Sequence, residues 1–234
     1  MRLIPLRLVL PLAAIALGAA ACAYSGQTSN PIALSNSWFS YLDAGDLRKA
    51  CVAGAPEAYR IAFNGSYEEQ LRTYDVTAIG PGGARMAVRV RGSAGNVANF
   101  KLSEPFQGWT GDQTQVPLTA ADVTALRQSL ADSNAFSPTP EGLELKSRRF
   151  YWIVAACRGG HFTYNAWQWP SADYDKLTFP ALLARLDRSG VALNPPRPND
   201  RPEFPESNDK GNYRDREFQL RVGKDGISNL VTVF

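Results

Sequence analysis

The ten residues from Arg148 to Cys157 (RRFYWIVAAC) restrict the fold more than any other part of the chain. β-Branched and aromatic residues run through them with almost no polar break. That is the composition of a strand buried on both faces or lying at the centre of a sheet. Arg158-Gly159-Gly160 then turns the chain into His161 to Trp169 (HFTYNAWQW), whose alternation predicts the hairpin partner.

Earlier segments supply further strands. Tyr59 to Phe63 alternates and meets Asn64-Gly65, a turn signal. Tyr67 to Ile79 alternates again, with Tyr67, Leu71 and Val76 as expected inward positions. After Gly80-Pro81-Gly82-Gly83, the segment Ala84 to Arg91 sets Met86, Val88 and Val90 against Arg85, Arg89 and Arg91. Val97 to Leu102 is a candidate fourth strand, and Ser103 to Leu118 reads as a polar loop. This is an antiparallel meander with one wet face.

Three helices are expected. Trp38 to Cys51 carries Trp38, Phe39 and Leu42 as a stripe, with Gly45 as a weak point. Thr119 and Asp122 form an N-terminal capping pattern ahead of Val123, Leu126 and Leu130. Asp175 to Arg188 places Phe179, Leu182, Leu183 and Leu186 on one side, with Pro180 in the first turn. The predicted class is α+β: an antiparallel sheet of about six to eight strands with two or three helices on one side. The core domain spans 38–193. The Pro-rich stretch 194–213 reads as a linker or long loop, and 214–234 as a C-terminal hairpin returning to the core sheet.

The N-terminus has a different character. Arg2 and Arg7 precede an uncharged run from Leu8 to Ala21, which gives way to a polar stretch after Tyr24. A positive start, a short apolar stretch and a small-residue exit predict a secretory signal peptide over 1–21. A permanent membrane span needs about 20 apolar residues. Ala19-Ala20-Ala21-Cys22 resembles a bacterial lipobox, with Ala19 where lipoprotein precursors usually carry Leu. The resemblance implies acylation of Cys22, cleavage just before it, and a tether over 22–37. Ala19-x-Ala21 would equally serve an ordinary signal peptidase. Three cysteines leave one over in an exported protein. If Cys22 takes lipid, Cys51 and Cys157 are left to pair, closing a loop of 106 residues. Ala23 rather than Asp after the cysteine favours outer-membrane sorting in lipoproteins of Gram-negative type.

Composition excludes several classes. With 44% apolar and 20% charged residues, the chain is neither disordered nor a coiled coil. Losing Arg2 and Arg7 lowers the formal charge from +3 to +1, so no basic field for nucleic acid remains. There is no Walker loop, nucleophile elbow or dinucleotide fingerprint, and His161 is the single histidine. Two cysteines and one histidine cannot complete a standard zinc site without carboxylates, and no cofactor or metal is expected. Glu68 and Glu69 are strand neighbours pointing to opposite faces, which rules them out as a paired acid and base. The distinctive feature is aromatic: Phe150, Tyr151, Trp152, Phe162, Tyr164, Trp167 and Trp169 fall within 20 residues. One face must be core. An exposed Tyr164, Trp167 or Trp169, with His161 beside them, would form a contact surface for a sugar ring or a peptide side chain.

The segment from Cys51 through Tyr59-Arg60-Ile61-Ala62-Phe63-Asn64 to Tyr74 is similar to exported proteobacterial proteins of unknown function, a likeness that implies no activity. The expectation is an exported, lipid-anchored envelope domain that binds or assembles rather than reacts. Its partners would be the membrane, through Cys22, and an envelope protein or glycan. Two alternatives remain. One is an envelope hydrolase using His161 and a carboxylate such as Glu69. The other is a soluble periplasmic ligand binder.

Overall fold

The computed structural model describes residues 38–67, 69–80, 82–92, 112–198 and 219–229. The expectations for 1–37, for a strand at 97–102, for most of the Pro-rich stretch and for the last five residues lie outside them. The described chain runs α1 (Trp38–Asp43), α2 (Gly45–Ala50), β1 (Ala58–Gly65), β2 (Leu71–Ala78), β3 (Ala84–Arg91), β4 (Asp112–Leu118), α3 (Ala120–Asp132), β5 (Glu144–Lys146), β6 (Phe150–Arg158), β7 (His161–Gln168), α4 (Ala172–Asp175), α5 (Phe179–Leu186), β8 (Gln219–Gly223) and β9 (Gly226–Ile227). The class is α+β.

Six strands form one antiparallel sheet in the order β4-β3-β2-β1-β6-β7. The apolar run at 148–157 becomes β6, seated between β1 and β7, with its first eight residues buried. Its pleat divides the core. Phe150, Trp152, Val154 and Ala156 face one layer, where α3, α4 and α5 supply Leu126, Leu130, Tyr174, Phe179, Leu182 and Leu183. Tyr151, Ile153 and Ala155 face a second layer. There Trp38 and Leu42 of α1 meet Leu145, Leu220, Val222 and Ile227 of a three-stranded sheet ordered β5-β8-β9. Two of the three expected helices, with the short α4, therefore lie on one side, whereas the N-terminal one belongs to a smaller helix-and-sheet layer that covers part of the other. Among the described residues, 219–229, the C-terminal hairpin does not join the core sheet. It pairs with Glu144–Lys146 instead, matching Leu145 to Leu220.

Cover on both sides corrects the reading of β2. Leu71 and Val76 are both buried, but on opposite faces. The expected 103–118 loop is also corrected, because its last seven residues form the edge strand β4. Pro117 is tolerated there because an edge strand needs ladder donors on one side only. On β3, Met86, Val88 and Val90 are buried and the arginines face the other way. That face carries an ion network. Asp75 accepts from Arg60 (3.1 Å), Arg89 (2.7 Å) and the Tyr41 hydroxyl (2.5 Å). Arg60 also forks onto Asp46 at 2.6 and 2.9 Å.

The N-terminal helix breaks at Ala44, which takes φ 52° and ψ 30°. The break aims the Asp43 carboxylate at the β8–β9 hairpin, where it accepts from Ile227 N at 2.8 Å. A Cβ at Gly226 would collide with that carboxylate, so the approach requires glycine. The capping box forms as read: Thr119 accepts from Asp122 N at 3.2 Å, and Asp122 accepts from Thr119 N at 2.9 Å. Cys51 caps α2 and is bonded to Cys157 on β6, with Cα atoms 5.5 Å apart. No helix among the described residues is long and apolar enough to cross a membrane.

Candidate functional site

β6 and β7 bring the aromatic cluster to the sheet, and the pleat sorts it. Tyr164 is fully buried, and its hydroxyl donates to Leu42 O at 2.9 Å, which holds α1 on the second layer. Trp167 is buried against Phe179, ring centroids 5.7 Å apart. Both are corrected from contact candidates to core residues. Trp167 and Tyr164 lie on opposite faces of β7, and both faces are covered, which alternation alone could not report.

Trp169 is different. It sits just past β7, half-buried, edge-on to Phe150 at 6.3 Å. It lines a groove of about 520 Å³ with Phe63, Trp152, Tyr174, Leu177, Pro180 and the strap Leu193–Pro196. Rings packed tilted and edge-to-face form the floor. Trp152 lies 4.6 Å from Phe63 and 5.3 Å from Phe179, centroid to centroid. Burial raises the Tyr174 phenol well above its ordinary pKa, outweighing a smaller lowering influence of the Trp152 side chain, so it remains a neutral O–H. Among the described residues Asp175 is the one acidic side chain on the lining, and it is exposed.

The strap is held by polar residues on the end of the sheet. Arg72 donates to Val191 O at 2.6 Å and Ala192 O at 3.1 Å, and Gln70 donates to Ala192 O at 2.9 Å. Asn194 is buried: its N–H donates to Gln70, and its carboxamide donates to Gly65 O and Glu69 and accepts from Arg197. A Cβ at Gly65 would stand 2.7 Å from the Phe63 ring and 3.2 Å from Asn194 Cβ, so glycine is what lets the strap close down. Phe63, Tyr174 and Pro195-Pro196 were not among the sequence candidates. The Pro-Pro pair was the available signal, but nothing local said where it would land.

A second concavity of about 500 Å³ lies at the other end of the sheet. It is lined by Glu57, Arg127, Phe136, Arg158, Gly159, His161 and Thr163. His161 is exposed at the start of β7, and no hydrogen bond reaches its side chain among the described residues. The acid beside it is Glu57. The proposed partner Glu69 belongs to the groove end, bonded to Asn194 and to Arg197 at 2.5 Å. Glu57 is itself engaged, accepting from Arg127 at 3.1 and 2.8 Å and from the Tyr59 hydroxyl, with Arg158 at 3.8 Å. Partial burial opposes its charge, but the hydrogen bonds from Arg127 and Tyr59 outweigh it and hold the carboxyl below its ordinary 4.5.

A folded-state pKa below the unfolded one adds stability that is complete above about 4.5. That stability is lost as pH falls through the folded value. Glu57→Gln is therefore expected to flatten the acid limb of a melting-temperature profile taken between about pH 7 and pH 3. The slope below about 4.5 should fall relative to wild type, with little change near neutrality beyond the loss of a partly exposed pair. An unchanged acid slope would refute the assignment.

Among the described residues no group of three or more histidine, cysteine or acidic side chains is placed to hold a metal. Comparisons with protein-family models, with curated proteins and with solved structures found no match to this chain.

Proposed function

We propose that this chain is an exported, lipid-anchored domain of the bacterial cell envelope that works by binding or assembly. Its membrane contact is an acyl group on Cys22, and its partner contact is the Trp169 groove. One observation carries the reading. The Cys51–Cys157 bridge uses two of the three thiols inside the folded domain, a pairing that persists in oxidising compartments. Cys22, behind the lipobox-like Ala19-Ala20-Ala21, is the thiol left for another fate. Acyl chains contribute about 0.8 kcal/mol per buried CH₂, so several on one cysteine anchor a domain stably. Favouring binding over reaction, the groove is apolar and aromatic with few polar groups, the usual character of a ligand site. Favouring it too, the acid beside His161 already has three partners.

Intact-mass measurement after expression of the precursor in a Gram-negative host tests the anchor. The expected product begins at Cys22, carries diacylglyceryl and amide-linked acyl groups, and gains two hydrogens on reduction. Cys22→Ser should abolish the added mass and move the protein from the membrane to the soluble fraction. Cleavage after Ala21 with no added mass would replace the anchor with soluble export. An uncleaved N-terminus would remove export altogether.

A further inference from the structure

We infer that the Trp169 groove binds an extended, proline-rich peptide segment bearing a basic residue. The inference rests on the binding reading above and names the partner's chemistry.

Three observations select this ligand. The first is the lining. Trp169, Trp152, Tyr174 and Phe63 present ring faces and edges, and Pro180, Pro195 and Pro196 close the walls. Flat, rigid, apolar walls suit prolyl rings. A polyproline II segment is already extended and loses little entropy on docking in an aromatic-lined groove.

The second is the arrangement of polar groups. A sugar ring offers several hydroxyls and needs several partners. Asn194, the buried polar residue on the lining, has its side chain committed to Gly65, Glu69 and Arg197. Tyr174 is another matter. It lines the groove, and its O–H donates to no group among the described residues, which leaves it free for a ligand. Backbone carbonyls of a polyproline II helix have no internal partner, so they are suited to accept that hydrogen.

The third is charge. Asp175 stands exposed on the rim with no ion pair among the described residues, while its neighbour Asp173 lies 3.5 Å from Lys176. An arginine or lysine near the prolines would complement it. The polyproline II helix has three residues per turn, so a Pro-Pro-Arg repeat carries its arginines along one side.

The test is a titration of the mature chain with a fluorescent peptide of repeated Pro-Pro-Arg units, beside Pro-Pro-Glu and an envelope-type oligosaccharide. Saturable binding of the Pro-Pro-Arg peptide is expected, at least about fivefold tighter than Pro-Pro-Glu and weakening as salt rises. Trp169→Ala should weaken it by about tenfold or more, the size typical of an aromatic anchor. Because Trp169 also touches Phe150, Asp175→Asn serves as the second variant. It alters an exposed carboxylate and should remove the preference for Pro-Pro-Arg over Pro-Pro-Glu. Equal binding of the two peptides, no saturation, or indifference to both substitutions overturns the inference. Binding of the oligosaccharide through Trp169 overturns the peptide assignment and leaves the binding reading intact, as does Trp169-dependent self-association seen by sedimentation.

Discussion

Replacing Cys51 and Cys157 together by serine is expected to lower the melting temperature by roughly 5–15 °C. The bridge spans 106 residues of sequence. In the chain-entropy description, closing a loop of about 100 residues contributes up to roughly 4.7 kcal/mol by restricting the unfolded chain. The native geometry adds a local consequence. Cys51 ends α2 and opens the segment 52–57, which packs on the β6–β7 turn so closely that a Cβ at Gly160 would meet Ala53 N at 2.9 Å. The same segment delivers Glu57 to Arg127 and accepts a bond from Ala78 N through Glu57 O at 2.9 Å. Losing the bridge should therefore raise amide exchange first over 52–57 and the end of β2, ahead of global unfolding. Thermal melts of oxidised, reduced and double-serine protein check the first effect, and hydrogen exchange the second. A shift below about 2 °C would show that the bridge is incidental to this fold.

The second large effect concerns Arg72. Its side chain is 1% exposed and is paired with Asp187, itself 5% exposed. Tyr74 also donates to Asp187 Oδ2 at 3.1 Å, and Ser189 N donates to Asp187 Oδ1 at 2.7 Å. Arg72→Ala leaves a carboxylate buried without its counter-ion and frees the carbonyls of Val191 and Ala192. Breaking one side of a buried pair typically costs about 3–5 kcal/mol. The joint replacement Arg72→Met with Asp187→Leu should cost clearly less than the sum of the two single changes, because no unpaired charge remains. Denaturant unfolding of the four proteins measures the coupling, and strict additivity would refute it. The single variant should also loosen the strap that walls the groove, so peptide affinity should fall with stability in Arg72→Ala. In Asp175→Asn the affinity should change alone.

The central strand was legible because its composition is decided by its own surroundings. Residues apolar on both faces at 150–157 fit only a position with neighbours everywhere, and β6 has them. The capping box was equally local. β4 was not legible. Its residues, DQTQVPL, are polar with a proline, which is what an edge strand with one wet face can afford, and it therefore reads as a loop. The destination of β8 was hidden for another reason. Its alternation announces a strand, but its partner is the three-residue β5, too short to announce itself. At the groove, Trp169 was a stated candidate. Phe63 and the Pro195-Pro196 wall were out of reach, because they meet through Arg72, Gln70 and Asn194. Polar residues like these read from sequence as solvent-facing, and only their hydrogen bonds reveal that they are buried.

The position of β1 also sets a timetable. Its first neighbour, β2, follows immediately, but its other neighbour belongs to a segment some ninety residues later. That late segment brings several latches at once. Ser147 O and Arg149 O accept from Asn64, Ser147 O accepts from Tyr67 N, and Cys157 brings the sulfur for Cys51. A chain threaded outward from its N-terminus would wait with one flank of β1 open and Cys51 still reduced, then lock when a single stretch of about ten residues emerges. Truncations ending before 147 and after 169 would bracket that moment.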